Sequence, residues 1–369
     1  MRKVKDTKFL FNEGTMTPEG MVSVSQVQQF LQCQRAWQYG YAEGLTARVD
    51  RPYLTIGKLC HRGFEAAMVL SWLCDHGSDD GGFRATLGDM LDTGRSAIRK
   101  GWDEYMGAVE FEGEEILMQE DLLHDALAVF EQALTDFDPE RWEVQTVVKN
   151  GELRPALEVH FRVPCAGSKG MHGYIDSILR DRETGHVWCV DYKFRSQLAP
   201  DDEERFNLQN AVYSWACTRM GISVTGTCTW QHLNKPSTEP RVLKDGSVSR
   251  ARVRITWPMY RQFLIDHGQD PSDYAEMEQK LANVELSRAT FEYRNEDTVR
   301  RVWSEVIVPS AYMIRRAHRD DVRKVPAMFP WNCKGCAFTE LCQAELRGYD
   351  ADWIRENDFV RKGHRQQGD

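Results

Sequence analysis

The chain has 369 residues, of which 41% are hydrophobic and 28% charged, and a formal charge of −9. That composition fits a globular protein with a sizeable core and excludes both a disordered chain and a uniformly basic nucleic-acid coat. No apolar run is long enough for a bilayer, and the basic Met1–Lys5 has no apolar stretch behind it, so the reading is a cytoplasmic protein with no membrane partner.

In chain order, Ser23 to Tyr41 is predicted to be a helix, with Val27, Phe30, Leu31 and Trp37 at helical spacing and Ser25 as N-cap. Gly57 to Leu73 is a second helix. Residues 75–86 are a Gly- and Asp-rich loop, and helical patterns resume from about Leu87 to Phe137. At Trp142 the texture changes. VQTVVKN and ALEVHFRVP are rich in β-branched residues and predict strands. GYIDSILRD and HVWCVDYKF follow, joined by RETG; then come a helix over Asn207–Met220, a strand over Thr225–Leu233, and helices again. The pattern predicts an α/β core sheet flanked by helices. It divides into N-terminal helices over 20–74, a helical insertion over 75–141, a core over 142–235, a C-terminal helical region over 236–350 and a polar tail over 351–369 that frays.

The core hairpin raises a chemical problem. If RETG is a four-residue loop, Asp181 lies opposite His186 and Asp176 directly opposite Asp191. Two carboxylates facing each other at about 5 Å repel unless a cation lies between them. A divalent ion with oxygen ligands, Mg²⁺ or Mn²⁺, resolves this. Lys193, two residues beyond Asp191 on the same strand face, then stands beside the metal, placed to orient a water or stabilise charge growing on a phosphate. The bland alternative is a surface salt bridge.

These residues resemble the PD-(D/E)XK nuclease superfamily: Gly173-Tyr174-Ile175-Asp176, then Asp191-Tyr192-Lys193, then Gln209 and Tyr213 as a Gln-x-x-x-Tyr pair. Gly57-Lys58-Leu59-Cys60-His61 matches the Gly-x-x-x-His of its RecB-like branch. The resemblance implies a restriction-endonuclease-like core sheet. It also implies that His61, Asp176 and Asp191, with the Tyr192 carbonyl, ligate the metal, that Lys193 is the catalytic lysine, and that Gln209 and Tyr213 support the site. Glu158, in the strand before the hairpin, would brace it.

Ten cysteines in such a chain argue for metal ligation or packing. Cys333, Cys336 and Cys342 form a Cys-x2-Cys-x5-Cys run whose thiolates can converge on one centre, and Cys33 supplies a fourth. In the RecB-like nucleases such a one-plus-three set holds a [4Fe–4S] cluster, which here would staple the C-terminal region to the N-terminal helix. Structural zinc is the rival. The other six cysteines need only packing.

For the substrate, SRARVRIT predicts a strand with Arg250, Arg252 and Arg254 on one face, spaced to follow a phosphate backbone. Arg315, Arg316, Arg319, Arg323 and Lys324 form a second basic stretch, and core packing is the expectation for Trp257, Tyr260 and Trp331. No phosphate-binding loop motif is present. The resemblance implies a metal-dependent DNA exonuclease acting on single strands or duplex ends, with a helicase or recombination protein among its partners. The alternatives are a non-cutting nuclease-shaped scaffold and an endonuclease sharing the same site.

Overall fold

The computed structural model describes residues 20–48, 51–76, 84–108, 114–149, 151–204, 207–251, 253–320 and 323–361. A seven-stranded mixed sheet lies between two layers of helices. In chain order the elements that matter are β1 (Val22–Ser23), α1 (Val24–Gln32), α2 (Pro52–His76), α3 (Leu87–Ala108), α4 (Glu114–Leu134), β2 (Trp142–Val144), β3 (Leu157–Val163), β4 (Met171–Asp181) and β5 (Val187–Arg195). Then come α5 (Leu208–Met220), β6 (Gly226–Leu233), β7 (Ser287–Tyr293), α6 (Val308–Arg319) and α7 (Thr339–Arg347).

Each face of the sheet buries its own core. On one side, Leu59, Phe64 and Met68 of α2, with residues of α3 and α4, pack on Leu179, Trp188, Val190, Tyr192 and Trp230. On the other, α1, α5 and α6 cover Phe161, Met171, Ile175, Ile178 and Cys189. Along β5 the period of two sorts these side chains: Trp188, Val190 and Tyr192 face the first core, and Cys189 faces the second.

The long strand β4 organises the rest. β3 and β2 pair antiparallel with successive stretches of one edge. On the other edge, β1 runs parallel to Met171 and His172, and β5 runs antiparallel from Ser177 to Arg180. Between them, Gly173 to Asp176 has no ladder partner on that edge among the described strands. A Cβ on Gly173 would lie 2.7 Å from the Phe161 ring, which accounts for glycine there.

The hairpin register is the predicted one. The β4–β5 ladder runs Arg180↔Val187 to Ser177↔Val190 and ends one residue short of Asp176 and Asp191, which lie beside each other just beyond it. Asp181 N–H donates to the His186 carbonyl (2.9 Å), and Gly185, at φ +75°, closes the turn. The Asp181 carboxylate fixes it by accepting from Glu183 N (2.9 Å) and Arg141 (2.9 Å).

Several expectations need correction. The first helix breaks at Cys33, which is extended (φ −159°) because its thiol accepts from Ala36 N and Ala327 N, 3.5 and 3.4 Å away. Its N-cap is Ser23, not Ser25, and accepts from Gln26 N. The edge strand β7 was not expected. The described residues of 249–256 form no strand: Val248, Val253 and Ile255 turn into a small third core with Tyr260, Leu264 and Met277. The tail does not fray through 361. Ala351–Asp358 is helical, and Phe359–Arg361 pairs with Leu45–Ala47 because Phe359 is buried on Phe338.

One buried group sets an acid limit on this fold. His232 on β6 stacks against Phe194 and Trp230, neither ring nitrogen has a hydrogen-bond partner, and burial, with His61 nearby, pushes its pKa down to about 3 from 6.5. Asp136 faces it at 3.9 Å and is itself pushed upward by burial. Between pH 6.5 and about 3 the unfolded chain therefore binds a proton at this residue that the folded chain refuses, and stability falls as pH falls. His232→Phe is expected to gain in Tm relative to wild type as pH drops from 6.5 to 4, and to show no such trend above 7. A difference in Tm that stays constant with pH would contradict this assignment.

Candidate functional site

The face alternation of β3 and β4 slips at one place. Leu157 and Ser177 serve the first core, the latter through its bond to Tyr192 Oη (3.1 Å), while Val159 and Ile175 serve the second. The register is unchanged across it, Leu157↔Ser177 then Val159↔Ile175, so the irregularity is a paired bulge in which Glu158 and Asp176 face each other outside the ladder. Glu158 sits at φ +45°, a conformation L-residues rarely adopt. Such a bulge re-aims side chains, and stored backbone strain of this kind clusters at functional sites.

The bulge carries both carboxylates to His61 on α2. Among the described residues, His61, Glu158 and Asp176 are the one group of three or more His, Cys, Asp or Glu side chains whose ligand atoms all lie within 4.8 Å of one another. His61 Nδ1 is 3.6 Å from Asp176 Oδ2. The same Oδ2 accepts from Tyr192 N–H (2.8 Å), taking the place of the backbone carbonyl that the ladder lacks there. Burial, then Asp176, Glu65 and Asp191 nearby, push Glu158 up to about 8. Two carboxylates and an imidazole crowded in this way fit a divalent cation, and that oxygen-rich set suits Mg²⁺ or Mn²⁺.

Asp191 stands beside this group and is engaged differently. Lys193 Nζ straddles its oxygens (2.9 Å to Oδ1, 2.7 Å to Oδ2), and Gln209 Nε2 donates to Oδ1 (2.9 Å). Gln209 Oε1 accepts from Lys193 (3.1 Å), and Gln209 also bonds Tyr213, one turn on along α5. Burial raises the Asp191 pKa, Lys193 opposes that, and Asp176 adds to it. Burial works against the charge of Lys193, but Asp191 and Asp176 more than offset it, so the ammonium holds its proton beyond the usual range.

Residues 21–343 match the family model of the PD-(D/E)XK nuclease superfamily. The chain belongs to that superfamily. No individual curated protein matches alongside it. Membership makes the chain a nuclease by family, with DNA as the implied substrate and Mg²⁺ or Mn²⁺ as the usual metals. No helix among the described residues is long and apolar enough to cross a membrane.

The structure thus gathers His61, Asp176, Asp191, Lys193, Gln209 and Tyr213 at one place, with Tyr192 supplying an N–H there. It adds Glu158 to the metal group, where the sequence suggested only a brace. The available signal was the carboxylate itself, in ALEVHFRVP, inside a strand heading into the core.

The four cysteines form a second cluster. Cys33, Cys336 and Cys342 pack round a core of Tyr39, Phe338 and Phe359, and Cys333 stands beside Cys336. Thr339 Oγ1 clamps the loop by donating to the Cys333 and Cys336 carbonyls (2.7 and 3.0 Å), and Arg51 donates to the Gly335 and Cys336 carbonyls. Alongside, buried Glu345 accepts from Arg35 (2.7 Å) and Tyr39 (2.5 Å) and pairs with Arg323 (2.8 Å) and Arg355. Arg355 also pairs with Glu43 (3.4 Å) and Asp352 (3.3 Å), so the three guanidinium groups meet three carboxylates, and burial pushes the Cys336 and Cys342 thiols up.

The arginine row is not assembled. Arg252 lies outside the described residues. Arg250 pairs with Glu276 (3.3 Å) and lies over the Tyr274 ring, and Arg254 donates to the Pro236 carbonyl (2.9 Å). Of the three aromatics, Tyr260 is buried, Trp257 packs on the third core, and Trp331 is exposed, stacked on Phe329.

Proposed function

We propose that the chain is a deoxyribonuclease of the RecB-like Fe–S type, an exonuclease that hydrolyses phosphodiesters in single strands or at DNA ends. The observation that carries the reading is the meeting of two units at the bulge: the His61–Glu158–Asp176 group and the Asp191–Lys193–Gln209 triad. When bound, Mg²⁺ or Mn²⁺ lowers the pKa of a water and polarises a phosphate oxygen. His61, Glu158 and Asp176 would hold it, with Asp191 in reach. Lys193, kept charged by two aspartates, offers its ammonium to the phosphate and the attacking water. Gln209 fixes the position of that ammonium, and Tyr213 fixes Gln209.

The one-plus-three arrangement of Cys33 with Cys333, Cys336 and Cys342 supports iron–sulfur over zinc, whose four-cysteine sites more often use two Cys-x-x-Cys pairs.

The test uses protein purified without oxygen and DNA labelled at either end, single- and double-stranded, with Mg²⁺, Mn²⁺ or EDTA. Release of mononucleotides or short oligonucleotides from an end, abolished by EDTA, is the expected result. Internal cuts would make the enzyme an endonuclease. Binding without any cut under every condition would make the fold a scaffold.

A further inference from the structure

Next to the metal group the β3–β4 hairpin carries a second constellation that the hydrolytic chemistry does not use. The rung after Glu158 and Asp176, past the bulge, pairs Val159 with Ile175. The following rung pairs His160 with Tyr174, and Arg162 lies opposite His172 two residues further on. The His160 and Tyr174 rings are stacked, centroids 4.7 Å apart and 21° from parallel, and both are half-exposed. Arg162 is exposed. His172 is buried, its Nε2 has no hydrogen-bond partner, and burial with His160 and Arg162 nearby holds its pKa at about 4. Along β3 the pair sits between Glu158, two residues before His160, and Arg162, two residues after it, so the rings lie between the metal group and the cation.

We propose that this strip, His160 and Tyr174 with Arg162 beyond them, is the berth of the nucleotide adjoining the scissile phosphate, and that it selects single-stranded DNA. The inference rests on the nuclease reading and gives it a substrate preference. Two strand residues advance about 6.6 Å, comparable with the step between successive phosphates of an extended strand. A phosphate held by a metal at Glu158–Asp176 would thus bring the neighbouring base over the ring pair and the second phosphate along, two steps or about 13 Å away, toward Arg162. Stacking on an aromatic platform requires a base free of its own stack, which a single strand or frayed end offers and an intact duplex does not. Tyr174 lies in the Gly173–Asp176 stretch of β4 that no strand covers on the β5 side, so the strip borders the same opening as the metal group.

The test measures fluorescence anisotropy of a labelled oligothymidine and of a closed-ended duplex, with Ca²⁺ replacing Mg²⁺. Tyr174→Leu is expected to weaken oligothymidine binding about 5- to 100-fold, leaving the duplex unchanged, while Tyr174→Phe keeps the ring and stays within about twofold of wild type. His160→Leu gives an independent reading if Tyr174→Leu does not fold. Leucine variants that are folded and bind oligothymidine as wild type overturn the berth, as does an equal loss on both ligands. A wild-type protein that cuts DNA while Tyr174→Leu binds normally retains the nuclease and loses the berth. A ring-dependent preference for single strands in a protein that cuts nothing retains the berth and loses the nuclease.

Discussion

Lys193→Ala is expected to lower the rate of phosphodiester cleavage by about 10²- to 10³-fold, the usual effect of removing one preorganised charge aimed at a transition state. The loss should fall on kcat and leave DNA binding nearly intact, because the ammonium is tied to Asp191 and Gln209 and is not spread along a phosphate track. It should also leave metal binding intact. The metal group is made by His61, Glu158 and Asp176, and Lys193 contributes no ligand atom to it. Titration of Mn²⁺ followed by electron paramagnetic resonance separates the roles: Lys193→Ala binds Mn²⁺ and does not cut, whereas Asp176→Asn loses both. Removing the lysine leaves Asp191 buried with Gln209 alone, so a lower Tm is expected as well. The effect is moderated because the Lys193 side chain is 29% exposed and its pairing is partly screened. A Lys193→Ala protein that cuts at the wild-type rate would remove the lysine from the mechanism.

Cys333→Ser is expected to cost more in folding than in chemistry. The thiols gather where the C-terminal region meets the N-terminal helices, beside the Arg35–Glu345 pair and the Tyr39–Phe338–Phe359 core, so a centre held by them would tie the two together. Loss of a structural centre should remove several kcal/mol, seen as a fall in Tm of roughly 10 °C or more. Iron and acid-labile sulfide should disappear with it, and DNA binding should fall in parallel. Cys74→Ser, at the far end of α2, is the control and should keep both. Zinc in place of iron in the wild-type protein would keep the clasp and change its metal. A soluble, metal-free Cys333→Ser protein with an unchanged Tm would make the cluster dispensable.

The hairpin was readable because RETG sets the loop length, and the loop length sets the register; the apolar run VWCV, buried on both faces, would have accepted a slip. Gln209 and Tyr213 were readable because four residues make one helical turn. The cysteines were readable because close spacing needs no fold to bring thiols together. Glu158 was not, because its side chain reaches the site only through a bulge that breaks the alternation on which strand reading depends. The arginine row failed for the opposite reason. Ser249 to Thr256 alternates like a strand, yet its apolar residues found a local core with Tyr260 and Leu264, and its pairing with the preceding segment is limited to isolated contacts such as Ser249 N–H to the Arg241 carbonyl and Thr238 N–H to the Arg254 carbonyl. Strand β7 was missed because SRATFEY is short and half-polar, and its position comes from pairing with β6 along Ser287↔His232 to Tyr293↔Gly226.

The clasp between the two ends of the described chain also sets an order of events during synthesis. Arg35 and Glu345 are 310 residues apart, and Leu45–Ala47 finds its strand partner at Phe359–Arg361. A nascent chain that has emerged through α6 already carries every strand of the sheet and every residue of the metal group. Its Cys33 nonetheless waits for thiols made about 300 residues later. Contacts this distant in sequence are slow to close. The His61–Glu158–Asp176 group is therefore laid down before the contacts that tie the N-terminal helix to the C-terminal region can form.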